Sequence, residues 1–320
     1  MKGFVTIATG KEHYYKLAAN LLLSYRYFTK NPLPFAIIAE EENQYTALFD
    51  DVIINKETTR SWLDKFDLLK LCPYDETIFL DADCLAYGDL NKFWDVFDGA
   101  TDFSASGLNF EANDRENAWY NVEDLGEYGE GLTYKCRVHA ALIYMKKGEK
   151  LDAVYKDCIE LYHNYNKMYF HSCAGNIDEC VFSVAMPRNG MKATAGGRID
   201  LLAYLPVMSQ LYANIWEEKI SCKTKWGTST ETGLLCHFAT QYTYKSLYRF
   251  NVEQLNVLRR YQGNKKKVSL WKRLLYQYKW RYFFLRIEDG FKAFGKGIAT
   301  FFKRAFGKLS RILKRNKTEK

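Results

Sequence analysis

Residues 77–85 read "TIFLDADCL". The run 77–80 is short, apolar and rich in β-branched and aromatic side chains. It follows Pro73, which ends whatever precedes it, so it reads as a buried strand. Asp81 and Asp83 stand immediately past its carboxyl end. Residues two apart in extended chain point the same way, so both carboxylates can face one site. Two like charges so placed repel, and a bound cation is the simplest compensation.

Nearer the N-terminus, "GFVTIATG" (3–10) reads as a first strand, and "EHYYKLAANLLLSYRYF" (12–28) has apolar residues at helical spacing. "PFAIIAE" (34–40) and "DVIIN" (51–55) are further apolar strands, separated by "ENQYTALF" (42–49), which can be a helix. "RSWLDKFDLLKL" (60–71) is amphipathic and helical, and leads into the strand at 77. This alternation, regular to about residue 106, predicts an α/β fold with a mostly parallel sheet flanked by helices. In such sheets ligands bind beyond the carboxyl ends of the strands, which is where Asp81 and Asp83 stand. Hard oxygen ligands in that arrangement suit Mg²⁺ or Mn²⁺, ions that bridge to the phosphates of a nucleotide.

The segment 107–132 is polar, aromatic and without a stable period, so it reads as a long loop, with Trp119, Tyr120 and Tyr128 as either acceptor-contacting or packing residues. "RVHAALIYMK" (137–146) follows as a strand. A helix is expected over about 149–165, and another through "NIDECVFSVAM" (176–186).

Composition bounds the function. The chain has 320 residues, 48% of them apolar and 16% aromatic, enough for a large core and inconsistent with disorder throughout. The net charge of +8 is unevenly spread: residues 264–320 hold 18 Lys and Arg against 3 Asp and Glu, a surplus of 15, which leaves −7 for residues 1–263. The chain therefore divides into an acidic body, 1–263, and a basic tail, 264–320. Its eight cysteines form no C-x-x-C pair and no zinc-spaced cluster. They read as unpaired buried thiols in a reducing compartment, and the opening Met1-Lys2-Gly3, which runs straight into an apolar strand, sets the same expectation of a cytoplasmic protein. No uncharged apolar stretch is long enough to span a membrane.

An apolar strand followed by D-x-D also opens haloacid-dehalogenase-like phosphatases, but there the motif normally sits on the first strand with a later acidic motif, which this chain lacks. Four further stretches point elsewhere. "IATGKEHYY" (7–15), Lys65 placed 16 residues before Asp81, "FLDADCL" (79–85) and "LLCHFATQYTYK" (234–245) occur in order. Together they make residues 3 to 250 resemble a glycosyltransferase of the GT-A fold, most closely family 8, the group of glycogenin and bacterial lipopolysaccharide galactosyl- and glucosyltransferases. The resemblance implies a Rossmann-like catalytic domain and a nucleotide-sugar donor, with UDP as the nucleotide. It implies Asp81, Asp83 and His237 as metal ligands, Ala82 against the nucleotide, backbone contacts from Ala8 and Thr9, and Tyr14 stacked on the base. Lys65 would reach the donor, and Lys245, which ends the last motif, is placed with the donor-binding residues. Read without the resemblance, a lone His237 after an apolar run is more often a hydrogen-bonded core residue. A mixed carboxylate and imidazole set favours Mn²⁺ somewhat over Mg²⁺.

Two positions depart from the family pattern. "VHAAL" (138–142) puts His139, Ala140 and Ala141 where the family usually has Asn-x-Gly lining the donor sugar, which implies a reshaped pocket. The family's Asp-Gln pair appears as Asp178-Glu179. Asp178 can accept hydrogen bonds from sugar hydroxyls, and Glu179 is a candidate to stabilise or trap an oxocarbenium-like centre during a retaining transfer, the alternative being a helix-surface Glu.

In the tail, Trp271, Leu274, Leu275, Tyr278, Tyr282 and Leu285 fall at helical spacing, as do Phe291, Phe294, Ile298, Phe301, Phe302, Ala305, Leu309, Ile312 and Leu313. Basic residues fall mainly off that stripe, the pattern of an interfacial amphipathic helix that meets an anionic membrane surface. Nucleic acid is the weaker candidate partner, since Phe and Leu at a helical period serve lipid better than phosphate. The expected function is transfer of a hexose to a saccharide or lipid-linked acceptor at the inner face of a membrane, in lipopolysaccharide or capsule synthesis. A membrane-surface binding protein with a degenerate site is the non-enzymatic alternative.

Overall fold

The computed structural model describes residues 1–61, 63–115, 117–171, 177–196 and 198–295. These form two compact units: Met1–Asn214 with Glu218–Ala239, and Ile215–Glu217 with the chain from Thr240 on.

The first unit opens with β1 (Lys2–Ala8), α1 (Glu12–Phe28), β2 (Phe35–Ala39), β3 (Asp51–Ile54), α2 (Asp64–Leu71), β4 (Glu76–Leu80) and β5 (Cys84–Ala86). It continues with α3 (Phe93–Val96), β6 (Phe103–Glu111), β7 (Tyr134–Lys146), α4 (Glu149–His163), α5 (Ile177–Arg188), β8 (Thr194–Ala195), β9 (Leu202–Tyr204), β10 (Met208–Asn214), β11 (Lys219–Thr224), β12 (Ser229–Thr230) and β13 (Leu235–His237). The central sheet has the order β3-β2-β1-β4-β7-β6-β8. Its first four strands are parallel, β7 runs antiparallel to both β4 and β6, and β8 is parallel to β6. The expected α/β class with a mostly parallel sheet flanked by helices is what is found.

Burial explains the arrangement. In α1 the buried positions Tyr15, Ala18, Ala19, Leu22 and Tyr25 follow the helical repeat, and the Tyr25 ring packs on Phe4 of β1 at 5.0 Å. A second core joins Phe66, Leu68 and Leu69 of α2, Leu151, Val154 and Leu161 of α4 and Val181, Phe182 and Val184 of α5 with sheet residues such as Val5, Phe79 and Ile143. Each such aliphatic or Phe side chain contributes about 1.5–3 kcal/mol on full burial. Helix α5 is buried from Asp178 to Pro187 on every side, which makes it a central element rather than a surface one.

Two local readings change. The segment 42–49, which can be a helix by sequence, holds only a single 3₁₀ turn, Thr46–Leu48, because the Asn43 side chain draws the Tyr45 and Thr46 N–H groups into a local turn of its own and no apolar face continues. The segment 107–132 is partly ordered: β6 extends to Glu111, and Tyr120 and Tyr128 are buried, so those two rings serve packing. Cys72, Cys84, Cys136, Cys158, Cys222 and Cys236 are free and buried, as expected, whereas Cys180 is disulfide-bonded, a departure from thiols unpaired throughout.

The second unit contains α6 (Ser246–Arg260), α7 (Leu270–Tyr276) and a helix that runs over 280–295. Arg281 binds Glu253 with two contacts of 2.8 Å, Asp289 accepts the Ser246 N–H at 2.7 Å, and Leu285 is buried. Trp271, Tyr278, Trp280, Phe283, Phe284, Phe291 and Phe294 are nonetheless exposed. The stripe residues from Ile298 to Leu313 lie outside the described residues. No helix among the described residues is long and apolar enough to cross a membrane.

Candidate functional site

The site is assembled by strand pairing. After β4 the chain makes a tight turn in which Cys84 N–H donates to Asp81 O at 3.1 Å. It then enters β5, whose Cys84 lies opposite His237 of antiparallel β13. That register, with Phe238 N–H donating to Asp83 O at 3.2 Å, brings His237 beside Asp83 although 154 residues separate them. Strand β13 also pairs in parallel with β9, which sets Tyr204 opposite His237. On the other side, β7 pairs with β4 through Leu80 and Leu142 and supplies His139, Ala140 and Ala141, and Asp81 N–H donates to Ala141 O at 3.1 Å.

One ligand atom from each of Asp81, Asp83 and His237 lies within 4.8 Å of the others. His237 Nε2 is 3.0 Å from Asp83 Oδ1 and 3.8 Å from Asp81 Oδ2. Two carboxylate oxygens and one imidazole nitrogen, largely shielded from water, form a donor set that fits a divalent ion of the Mg²⁺ to Mn²⁺ kind.

Lys65 of α2 reaches into this cluster. Its ammonium is 3.0 Å from Asp81 Oδ2 and 3.1 Å from Asp178 Oδ2, and donates to Ala140 O at 3.4 Å. Asp178 and Glu179 occupy the first turn of α5, where the helix dipole favours negative charge. Glu179 Oε1 is 2.6 Å from His139 Nδ1 and accepts the Ala140 N–H at 3.3 Å. His139 Nε2 is in turn 3.1 Å from His237 Nδ1. The Tyr204 ring packs on both imidazoles, with centroids 5.0 Å from His237 and 4.4 Å from His139.

Charge states follow from these contacts. Burial alone would push the Lys65 ammonium down, but Asp81 and Asp178 outweigh it and hold it well above its ordinary value. Burial raises the Asp81 carboxyl, aided by Asp83 and opposed by Lys65. Burial would lower His237, yet the charge and hydrogen bond of Asp83 raise it. Burial would raise Glu179, yet His139 holds it below the usual carboxylate range.

The other expected residues fall as follows. Ala8 ends β1 and is buried, and Ala82 is buried in the turn between the two aspartates. Thr9 donates its hydroxyl to Asp64 at 3.0 Å, a buried carboxylate that also accepts from Thr59 N at 2.7 Å. Tyr14 lies half-buried in the first turn of α1. Lys245 precedes α6 in the second unit. Sequence reasoning passed over Asp64 and Tyr204. No local pattern marks either, although Tyr204 stands in a short apolar run of the kind that forms a buried strand.

Beside His139 and Glu179 opens a cavity of about 660 Å³ lined by Trp119, Arg137, Arg198, Tyr204 and Trp226 among others. Its wall includes Gly107, where a Cβ would lie 2.4 Å from the Arg137 carbonyl oxygen, so β6 and β7 approach there only because that residue has no side chain.

No sequence family and no curated protein matches the chain. Among solved structures it is similar to the glycosyltransferase GlyE of Streptococcus pneumoniae TIGR4, with 12% identity over 57% of this chain and 42% of that one and a TM-score of 0.38. It is similar to the galactosyltransferase LgtC solved with donor and acceptor sugar analogues, with 10% identity over 85% and 99% of the two chains and a TM-score of 0.49. It is also similar to the bifunctional glycosyltransferase WbbM, with 12% identity over 79% and 49% and a TM-score of 0.49. The chain spans less than half the length of the GlyE structure it matches. All three likenesses are remote and concern the course of the chain.

Proposed function

We propose that the protein is a metal-dependent glycosyltransferase that moves a hexose, glucose or galactose, from a nucleotide diphosphate sugar to a saccharide or glycolipid hydroxyl, with retention of configuration. One observation carries this reading: the ligand atoms of Asp81, Asp83 and His237 converge within 4.8 Å just past the carboxyl end of β4, where open α/β sheets bind ligands. A divalent ion held there, Mn²⁺ by the donor set, supplies positive charge against a diphosphate leaving group. UDP is the nucleotide that the motif resemblance favours.

The chain's own residues have the complementary tasks. Lys65, charged by virtue of Asp81 and Asp178, adds a fixed cation beside the diphosphate. Asp178, with Oδ2 held by Lys65, is oriented to accept from sugar hydroxyls. The aromatic walls of the neighbouring cavity, Trp119, Tyr204 and Trp226, suit the apolar faces of a sugar acceptor. The exposed aromatics of the second unit, with the basic residues around them, support attachment to an anionic membrane surface, and so a lipid-linked acceptor in lipopolysaccharide or capsule synthesis at the cytoplasmic face. The phosphatase reading gains no support, since the D-x-D follows β4 rather than the first strand and an imidazole joins its cluster.

The test is a panel of UDP- and GDP-sugars incubated with Mn²⁺, with nucleotide diphosphate release as readout. Release from at least one donor, abolished by chelator, is expected. Absence of metal-dependent release from every donor refutes the proposal, and release of inorganic phosphate from phosphomonoesters would favour the phosphatase.

A further inference from the structure

Four side chains from four elements form one line: Asp83 after β4, His237 of β13, His139 of β7 and Glu179 of α5. The spacings along it are 3.0, 3.1 and 2.6 Å. We propose that Glu179 and His139 are positioning residues for the metal, acting through His237, by fixing which of its ring nitrogens carries the proton. The inference rests on the metal reading of Asp81, Asp83 and His237 given above.

Proton placement links the four side chains. A neutral imidazole offers one donor and one acceptor. A ligating His237 must present an unprotonated Nε2 to the Asp81 and Asp83 side, so its proton sits on Nδ1 and is donated to His139 Nε2. His139 then carries its own proton on Nδ1, and that nitrogen is the one facing the Glu179 carboxylate at 2.6 Å. The opposite pair of tautomers would aim the His139 Nδ1 lone pair at a carboxylate oxygen. Glu179 therefore selects the tautomer of His139, and His139 selects that of His237. In many metal sites a ligating histidine donates its second N–H directly to a carboxylate; here a second imidazole is interposed.

Three further features hold the line in place. Glu179 Oε1 also accepts the Ala140 N–H at 3.3 Å, so the carboxylate is tied to the same strand that carries His139. The Tyr204 ring lies against both imidazoles, 25° from the plane of His237 and 53° from that of His139. Strand pairing of β13 with β9 and β5 fixes the backbone of His237 on both sides. His139 and Glu179 also line the aromatic cavity, so the relay forms part of the wall that the cavity shares with the metal cluster.

The test uses the full chain with Mn²⁺ or Mg²⁺ alone. Free Mn²⁺ is measured by electron paramagnetic resonance, and the protonation pattern of His237 by ¹⁵N imidazole shifts with diamagnetic Mg²⁺ bound, since without an ion Nε2 faces Asp83 Oδ1 at 3.0 Å. Glu179→Gln keeps the shape but removes the charge that selects the tautomer, so it is expected to weaken Mn²⁺ binding about 10-fold. Glu179→Ala and His139→Leu should weaken it about 10- to 100-fold. Because the two residues act in series, the double variant should bind Mn²⁺ no more weakly than His139→Leu alone. His139→Gln, whose amide oxygen can accept the His237 Nδ1 proton, should recover part of the loss. Affinity within twofold of wild type in Glu179→Gln and Glu179→Ala, with the His237 nitrogen pattern unchanged, overturns the relay while leaving the metal site standing, as long as Asp83→Asn still abolishes binding. Absence of Mn²⁺ binding in the wild-type protein overturns both.

Discussion

Lys65 is the residue whose removal tests the electrostatic logic of the site most directly. Its ammonium lies 3.0 and 3.1 Å from two carboxylates, with only 16% of its side chain exposed. Each contact is worth about 5 kcal/mol of Coulomb attraction at an effective dielectric of about 20, much of it offset by desolvation of the three charges. Lys65→Met leaves Asp81 and Asp178 buried without their counter-charge, and deleting one partner of such a pair costs about 3–5 kcal/mol. With a urea slope of about 3 kcal/mol per molar, the upper end for small proteins, the midpoint in chelator should fall by at least about 1 M. A divalent ion should restore part of this loss. At 100 times its dissociation constant an ion stabilises wild type by about 2.7 kcal/mol, and a site freed of a neighbouring ammonium that binds tenfold tighter gains about 4.1 kcal/mol. The gap between variant and wild type should therefore narrow by about 1.4 kcal/mol when Mn²⁺ replaces chelator. Urea titrations followed by fluorescence, with and without Mn²⁺, measure both quantities. An unchanged midpoint in chelator, or a gap that Mn²⁺ leaves untouched, refutes the view that Lys65 neutralises this cluster.

Asp83→Asn and His237→Ala should each reduce Mn²⁺-dependent nucleotide release by about 10²–10³-fold, read in the donor-hydrolysis assay, while circular dichroism stays that of wild type. Glu179 gives a pH signature: its carboxyl is held below its ordinary 4.5, so it contributes stability above that value and loses it as pH falls through the folded-state value. Urea midpoints between about pH 6 and 3 should accordingly fall less steeply in Glu179→Gln than in wild type, and parallel profiles would count against the Glu179–His139 contact. Phe283, Phe284, Phe291 and Phe294 are 51–72% exposed. Replacing all four with Ser removes about 1 kcal/mol of apolar contact apiece if half of each ring is buried in lipid, so co-sedimentation with anionic vesicles should weaken about 10³-fold. Vesicle binding that survives the substitutions would remove the membrane reading. Point substitutions serve better here than truncation at 264, because Arg281 and Asp289 bind residues of α6.

What could be read in advance was what depends on neighbours along the chain. The period of apolar residues gives α1 and the parallel strands, and the spacing of Asp81 and Asp83 past an apolar run gives two carboxylates on one side of a strand end. Lys65 and His237 entered only through the order of motifs, since neither has a local signal. The relay was not legible at all. Its contacts join residues 40 and 98 positions apart, and they depend on β5, β9 and β13, three-residue strands too short to show a period of two. For the same reason Tyr204 passed unnoticed.

This difference bears on how Glu179 is to be read. From sequence it was a candidate to stabilise or trap an oxocarbenium-like centre, or else a helix-surface Glu. In the fold, its Oε1 accepts from the His139 ring and from the Ala140 N–H, so the carboxylate has a supporting task in the site whatever its second oxygen does to the sugar. His139 and Glu179 are also the two positions that differ from the pattern of the family the motifs resemble. A lone Glu at 179 would leave a charge in a buried helix turn without an imidazole to receive it, and a lone His at 139 would lack the anion that selects its tautomer. The two departures, which separately suggested an altered sugar pocket and a covalent intermediate, are met together by a single function in the proposed relay, support for the histidine that completes the metal cluster.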